Sequence, residues 1–380
     1  MNLLGRLEPE LRALLNVVKD IDPHAHLVGG SVRDLLLERP SRDLDLVSET
    51  PARYLGNALQ AKLGGKLTCH DTFLTCTLTL PDLTLDLATT RKEVYTRPGA
   101  LPQVTHGTFQ DDLYRRDFSV NTFALSLAEP RTLLSVAGAV KDLELRLLRT
   151  LHDHSFFDDP TRIVRGARLA GRLGFRYDDA TQAALIDALE AEIYKRISPS
   201  RLKNELFSTL AEPEVAPAIT QLAAPSALEA LYGLKDTPLM ARLDALKSGT
   251  NVPLESYLLA LMLELSSHEA ERFVTTFALP KRLLGSRARL LGNPASGNTK
   301  AEKFINRVLA PYGSKLNSPG SDYRRVNGSD VLSLGLSAGP EVGRVLARLE
   351  GARLDARVAS FADELALARR FVDEIFREQA

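Results

Sequence analysis

The chain has 380 residues, 44% of them hydrophobic and 25% charged, enough for two or more domains with their own cores. Its 48 basic and 48 acidic residues give a formal net charge of zero, which excludes a protein coated in positive charge for nucleic acid. Any nucleic-acid contact must therefore be local. The first segment, MNLLGRLEPELRALLNVV, breaks its apolar pattern with acids and arginines, unlike a signal peptide, and no run of about twenty apolar residues occurs elsewhere. A cytoplasmic location is the expectation. Cys69 and Cys76 both lie in strand-like sequence and are expected as reduced structural thiols, not as a disulfide or a zinc site.

In chain order, an amphipathic helix is followed by a strand at Ala25 to Val28 and by the turn GGSVRD, Gly29 to Asp34. That turn opens a helix packing through Val32 to Leu37, which Pro40 breaks. The next strand alternates Asp43, Leu44, Asp45 and Leu46. A helix near Pro51 to Leu63 precedes β-rich stretches at Lys66 to Leu80 and Leu83 to Thr90. The proline- and glycine-rich Pro98 to Gly107 reads as a mobile loop. After Asp142 nearly every segment has helical periodicity, and no internal repeat is visible.

Asp43 and Asp45 stand two apart on a strand, so both carboxylates project from one face, where a divalent cation can be held. A lone pair of this kind is more often a solvated edge. The GGSVRD element upstream changes the reading, because Gly29 and Gly30 allow close backbone approach to a ligand and Arg33 offers a guanidinium fork for phosphate. Together they describe metal-dependent phosphoryl or nucleotidyl transfer, with bound Mg²⁺ lowering the pKa of an attacking hydroxyl and neutralising the leaving pyrophosphate. Asp86, on a strand able to pair with that of Asp43, is either a further metal carboxylate or a solvent-facing acid. The arginines at 162, 165, 168, 172 and 176 fall within about a third of a helix circumference, with no acid between Asp159 and Arg176 to relieve their repulsion. Such a stripe points to phosphates or bases more than to a plain solvated face.

GGSVRD, the Asp43/Asp45 pair, RRDFSVNTFAL (Arg115 to Leu125), DDPTRIVRGARLAGRLGF (Asp158 to Phe175) and SPSRLKNEL (Ser198 to Leu206) together resemble class II tRNA nucleotidyltransferases. These are the bacterial CCA-adding enzymes and their poly(A) polymerase relatives. The resemblance covers Leu27 to about Leu206, and more weakly Val326 to Leu346. It implies an α+β fold: a nucleotidyltransferase head with a mixed sheet over residues 1–128, then an all-α neck (129–210), body (211–300) and tRNA-binding tail (301–380). It implies that Asp43 and Asp45 hold the metal and that Gly30, Arg33 and Arg42 line the triphosphate end of the pocket. Arg116 and Asp117 match positions holding the nucleotide near its ribose and phosphates. Asp159 and Arg162 match the amino-acid template that pairs with the base, followed on the same face by Arg165 and Arg168. A carboxylate and a guanidinium can read cytosine and adenine by exchanging donors for acceptors, so no nucleic-acid template is needed. Asp159 before Pro160 can equally be a helix cap.

The implied partners are tRNA, ATP and CTP, the implied cofactor Mg²⁺, and the tRNA 3′-hydroxyl the nucleophile. Full CCA addition and addition of the terminal A alone both stay open. CC addition alone is disfavoured, because such members lack a flexible loop that Arg91 to Arg116 supplies here at near-full length. A poly(A) polymerase and an inactive RNA-binding scaffold are weaker alternatives, and His70-Asp71 and His152-Asp153 read as chance rather than a phosphohydrolase metal cluster. Ser135, Ala139 and Thr122 depart from the family pattern around the hinge and the RRDF element.

Overall fold

Leu11, Leu14, Leu15 and Val18 recur at the i, i+3, i+4, i+7 spacing of one helical face, and helix α1 (Pro9–Ile21) buries all four. The same spacing in α3 (Ala52–Leu63) buries Ala52, Leu55, Gly56 and Leu59. A Cβ on Gly56 would come within 2.8 Å of Leu67, so glycine lets this helix lie close on the sheet. The computed structural model describes residues 3–40, 44–234, 243, 246, 252–263, 265–292, 299–309, 324–337, 339–354, 357–358 and 360–379. The chain divides into two units, Met1–Ile197 and Ser198–Ala380, a boundary that falls inside the expected neck.

In the first unit, α2 (Gly30–Leu36) follows β1 (His26–Val28) and leads to β2 (Leu44–Ser48). α2 ends with Glu38 at a φ of 58°, so the helix stops ahead of Pro40. The remaining strands are β3 (Lys66–His70), β4 (Thr75–Thr79), β5 (Thr84–Thr89), β6 (Arg91–Val94), β7 (Gln103–His106), β8 (Ala124–Ser126) and β9 (Leu133–Leu134). They form a seven-stranded sheet in the order β3-β4-β5-β2-β1-β8-β9, with β6 and β7 paired separately. β2 runs parallel to β5 and antiparallel to β1, which makes the sheet mixed as expected. Leu27, Leu44, Leu46, Leu78, Leu85 and Leu87 are at most 1% exposed and form the core under the site. Each such side chain stabilises the fold by roughly 1.5–3 kcal/mol.

Two expectations are corrected. Pro98 to Gly107 is not a bare loop, because β7 lies within it and pairs residue by residue with β6, and the Gly99 N–H donates to the Phe157 and Asp158 carbonyls. Cys69 and Cys76 form a disulfide, since the register of the β3–β4 hairpin sets them directly opposite each other with Cα atoms 4.0 Å apart.

The first unit continues through α4 (Phe109–Tyr114), α5 (Ala139–Glu144), β10 (Leu147–Leu148), α6 (Ser155–Asp158), α7 (Thr161–Leu173), β11 (Arg176–Tyr177) and α8 (Asp179–Glu190). The described part of the second unit is helical throughout. Ser198 caps its first helix (Pro199–Leu210), whose Leu202, Leu206 and Leu210 are buried. Val326, Val331, Val345, Leu349, Phe371, Val372 and Ile375 make a separate core among its last three helices. Arg353 reaches the fully buried Glu364 at 2.9 Å there, and Glu364 also accepts from the Val326 N–H. No described helix is long and apolar enough to cross a membrane.

Candidate active site

β2 carries Asp45 between buried Leu44 and Leu46, the alternation that turns leucines to the core and the carboxylate outward. Asp86 is its register partner on parallel β5, so both acids stand side by side on one face of the sheet. Thr77 on β4 donates to Asp86 at 2.6 Å and orients it. The pairing of these strands is therefore as expected. Asp43 and Arg42 lie outside the described residues. Two hard carboxylates on one open face fit a Mg²⁺ donor set, although the described residues alone contain no group of three or more acids, histidines or cysteines able to hold a metal.

Glycine at 29 has a local reason. Its φ is +68°, and a Cβ there would lie 2.9 Å from Arg116 Nη1 and 3.8 Å from Asp45 Oδ2. The absent side chain thus lets the Arg116 guanidinium and the Asp45 carboxylate approach the same turn. Arg116 also donates from Nη1 to the Asn121 carbonyl at 3.2 Å and from Nη2 to Asp112 at 3.0 Å. Its Nε is buried without a hydrogen-bond partner in the structure, a cationic donor suited to an anionic ligand. Burial would raise the Asp112 carboxyl, but the Arg115 and Arg116 guanidiniums outweigh it and hold the group below its ordinary range.

Arg33 differs from the open phosphate fork that its place in GGSVRD suggests. It is 1% exposed, donates to Asp34 at 2.9 and 2.8 Å, and bonds the Asn121 side-chain oxygen. Burial lowers its pKa, with Asp34 opposing that. Its guanidinium braces the turn from behind, and Gly30 lies against it, with a Cβ there 3.4 Å from Arg33 Nη2.

Asn121 is the hub that sequence reasoning missed. Besides Arg33, its amide donates to Asp117 at 2.9 Å. The signal was present in RRDFSVN, where Asn121 follows Asp117 by four residues. Asp117 is 7% exposed and also accepts from the Phe118 N–H and from Arg165 Nε and Nη2 at 3.1 and 2.8 Å. Burial pushes its carboxyl upward, yet Arg165 and Asn121 hold it far below the usual range.

On α7 the arginines separate into different environments. Arg162 is buried, with Nη1 donating to Ser155 at 2.5 Å and Nη2 to the Arg115 carbonyl at 2.8 Å. Arg165 is half exposed and bound to Asp117, Arg168 is partly exposed and Arg172 exposed. Arg176 is not on the stripe, because Gly174 ends the helix in the left-handed region and Arg176 enters β11. Asp159 Oδ1 accepts from the Thr161 N–H at 3.0 Å and its hydroxyl at 2.7 Å, so the capping role is realised at the start of α7. Tyr95, on the segment after β6, donates to Glu93 at 3.1 Å; burial, with Glu93 beside it, keeps its phenol protonated well above the ordinary range. Glu93 in turn pairs with Arg115 at 3.1 Å. At the departures, the Thr122 hydroxyl donates to the Ser119 carbonyl at 2.7 Å and accepts from the Val136 N–H at 3.3 Å, while Ser135 donates to the Val136 carbonyl.

Residues 25–149 match the family model described as the poly(A) polymerase head domain. The chain is 36% identical over 375 residues to a CC-adding tRNA nucleotidyltransferase of Deinococcus radiodurans, covering 97% of this chain and 96% of that one. It is 30% identical to an A-adding tRNA nucleotidyltransferase of Geobacter sulfurreducens over 96% of this chain and 47% of that protein. Among solved structures, a CCA-adding enzyme in an apo form superposes with a TM-score of 0.68 at 25% identity, covering 99% of this chain and 97% of that one. The Thermotoga maritima CCA-adding enzyme complexed with tRNA superposes with a TM-score of 0.64 at 25% identity, covering 98% and 97%.

Proposed function

This chain belongs to the class II tRNA nucleotidyltransferase family, and we propose that it adds cytidine and adenosine to the 3′ end of tRNA, using CTP and ATP without a nucleic-acid template. The observation that carries the reading is Asp45 in register with Asp86, next to a glycine turn that admits Arg116. Asp45, with Asp43 and with Asp86 at its side, would hold Mg²⁺, which when bound lowers the pKa of the attacking 3′-hydroxyl and neutralises charge on the departing pyrophosphate. Arg116 offers its unpartnered Nε–H to the nucleotide's phosphate or ribose oxygens. Asp117 anchors Arg165 and, through Asn121, the brace on Arg33, so the turn and α7 are positioned together.

Asp159 and Arg162 are the base readers in this proposal. Here Arg162 is held by Ser155 and the Arg115 carbonyl, and Asp159 by Thr161. Pairing with a base requires Arg162 to exchange one of these bonds for one to the base edge, which keeps it poised without a bound nucleotide. The cytoplasm is the expected place of action.

CC addition alone is a second reading, favoured by the activity of the Deinococcus relative even though Arg91 to Arg116 is long. The test uses tRNA transcripts ending before, within and after CC, supplied with CTP or ATP separately, with product length as readout. Extension of all incomplete ends through A supports CCA addition, and arrest after CC with no use of ATP supports the second reading. Extension only from CC ends, with ATP, marks A addition alone.

A further inference from the structure

We propose that Arg39 is a positioning residue that sets the angle of the base-reading helix α7 against the metal-bearing strand; this rests on the proposed function above. Arg39 stands on the connection from α2 to β2, the stretch that delivers Asp45. Its Nη1 donates to the Arg172 carbonyl at 2.9 Å and its Nη2 reaches the Leu173 carbonyl at 3.4 Å. These belong to the last turn of α7, whose carbonyls have no partner within the helix and carry its negative dipole end. Arg39 is itself fixed, because its N–H donates to the Asp34 carbonyl at 2.8 Å, and Asp34 is the residue that clamps buried Arg33.

Among the described residues, α7 is tied near its start, at its middle and at its end. Arg162 binds the Arg115 carbonyl, Arg165 binds Asp117, and Arg39 holds the far end. The first two come from the RRD segment. The third comes from the connection leading into β2. With Arg39 removed, the far end of α7 loses this restraint and a tilt of the helix about the Arg165–Asp117 pair is less opposed. Asp159 lies six residues from that pivot, ~9 Å along the axis, so a tilt of about 5° moves it by ~0.8 Å. Displacement on that scale breaks a hydrogen bond to a base edge, whose useful range spans only about 0.5 Å.

The experiment compares the unaltered enzyme with Arg39→Ala and Arg39→Lys, reading kcat/KM for the favoured nucleotide against GTP and UTP, together with the thermal midpoint. The inference predicts that Arg39→Ala lowers the selectivity ratio about ten-fold. Arg39→Lys, which keeps the charge but loses the fork, should fall between. A lowered midpoint with an unchanged ratio in Arg39→Ala would reduce Arg39 to a helix cap and overturn the inference. No nucleotide addition by the unaltered enzyme would overturn the proposed function, and this inference with it.

Discussion

Asp117 accepts four hydrogen bonds and is nearly buried, so its removal strands the Asn121 amide and the Phe118 N–H as well as Arg165. Asp117→Ala should cost roughly 1–3 kcal/mol of stability, a figure discounted because Arg165 is half exposed. The pH dependence has a definite sign. Because the folded carboxyl is depressed, its contribution is fully present above the unfolded value near pH 4 and declines as the pH falls below it. Unfolding titrations of both proteins should therefore differ most at neutral pH and converge below about pH 4. A constant gap down to strong acid would remove the charge from the explanation. The residue types at this site were legible in sequence, but their partners were not. Arg33 reads as a phosphate fork from its motif, and only the fold shows Asp34 and Asn121 consuming it.

The helices and strands were largely visible, because period-2 and period-3.6 patterns report burial directly. β2, α3 and α7 stand close to where alternation and spacing put them. The misses have physical causes. β7 was hidden by proline and glycine, whose turn signal masks a short strand stabilised by its partner β6. The disulfide depends on hairpin register, which two isolated cysteines do not reveal. On α7, the three- and four-residue spacing concealed that Arg162 is buried while Arg172 is exposed, since helical periodicity gives direction and not depth. Asp159→Ala should accordingly show two effects, about 1 kcal/mol of lost stability from the cap and ~1–3 kcal/mol of lost base discrimination. A stability loss with selectivity intact would leave only the cap. Replacing Arg168 and Arg172 together with alanine should weaken tRNA binding and lower the slope of log affinity against log salt by up to about two. An unchanged slope would return that face of α7 to solvent.

Across the whole molecule, the head was legible because its motifs are those of a nucleotidyltransferase family, in which residue types are constrained. The helical second unit was legible only as a class. Its buried Glu302 and Glu364, each paired with an arginine, are solutions to packing that no motif announces. The central claim is that a carboxylate on β2 drives metal-dependent nucleotide addition while tRNA is held elsewhere. Its most direct test is Asp45→Asn, a near-isosteric loss of charge, measured by incorporation of labelled CMP and AMP into tRNA lacking its CCA end with Mg²⁺ present, alongside tRNA binding. The account predicts incorporation reduced by about a thousand-fold or more, with binding within a few-fold of the unaltered enzyme. Undiminished incorporation by Asp45→Asn would contradict it.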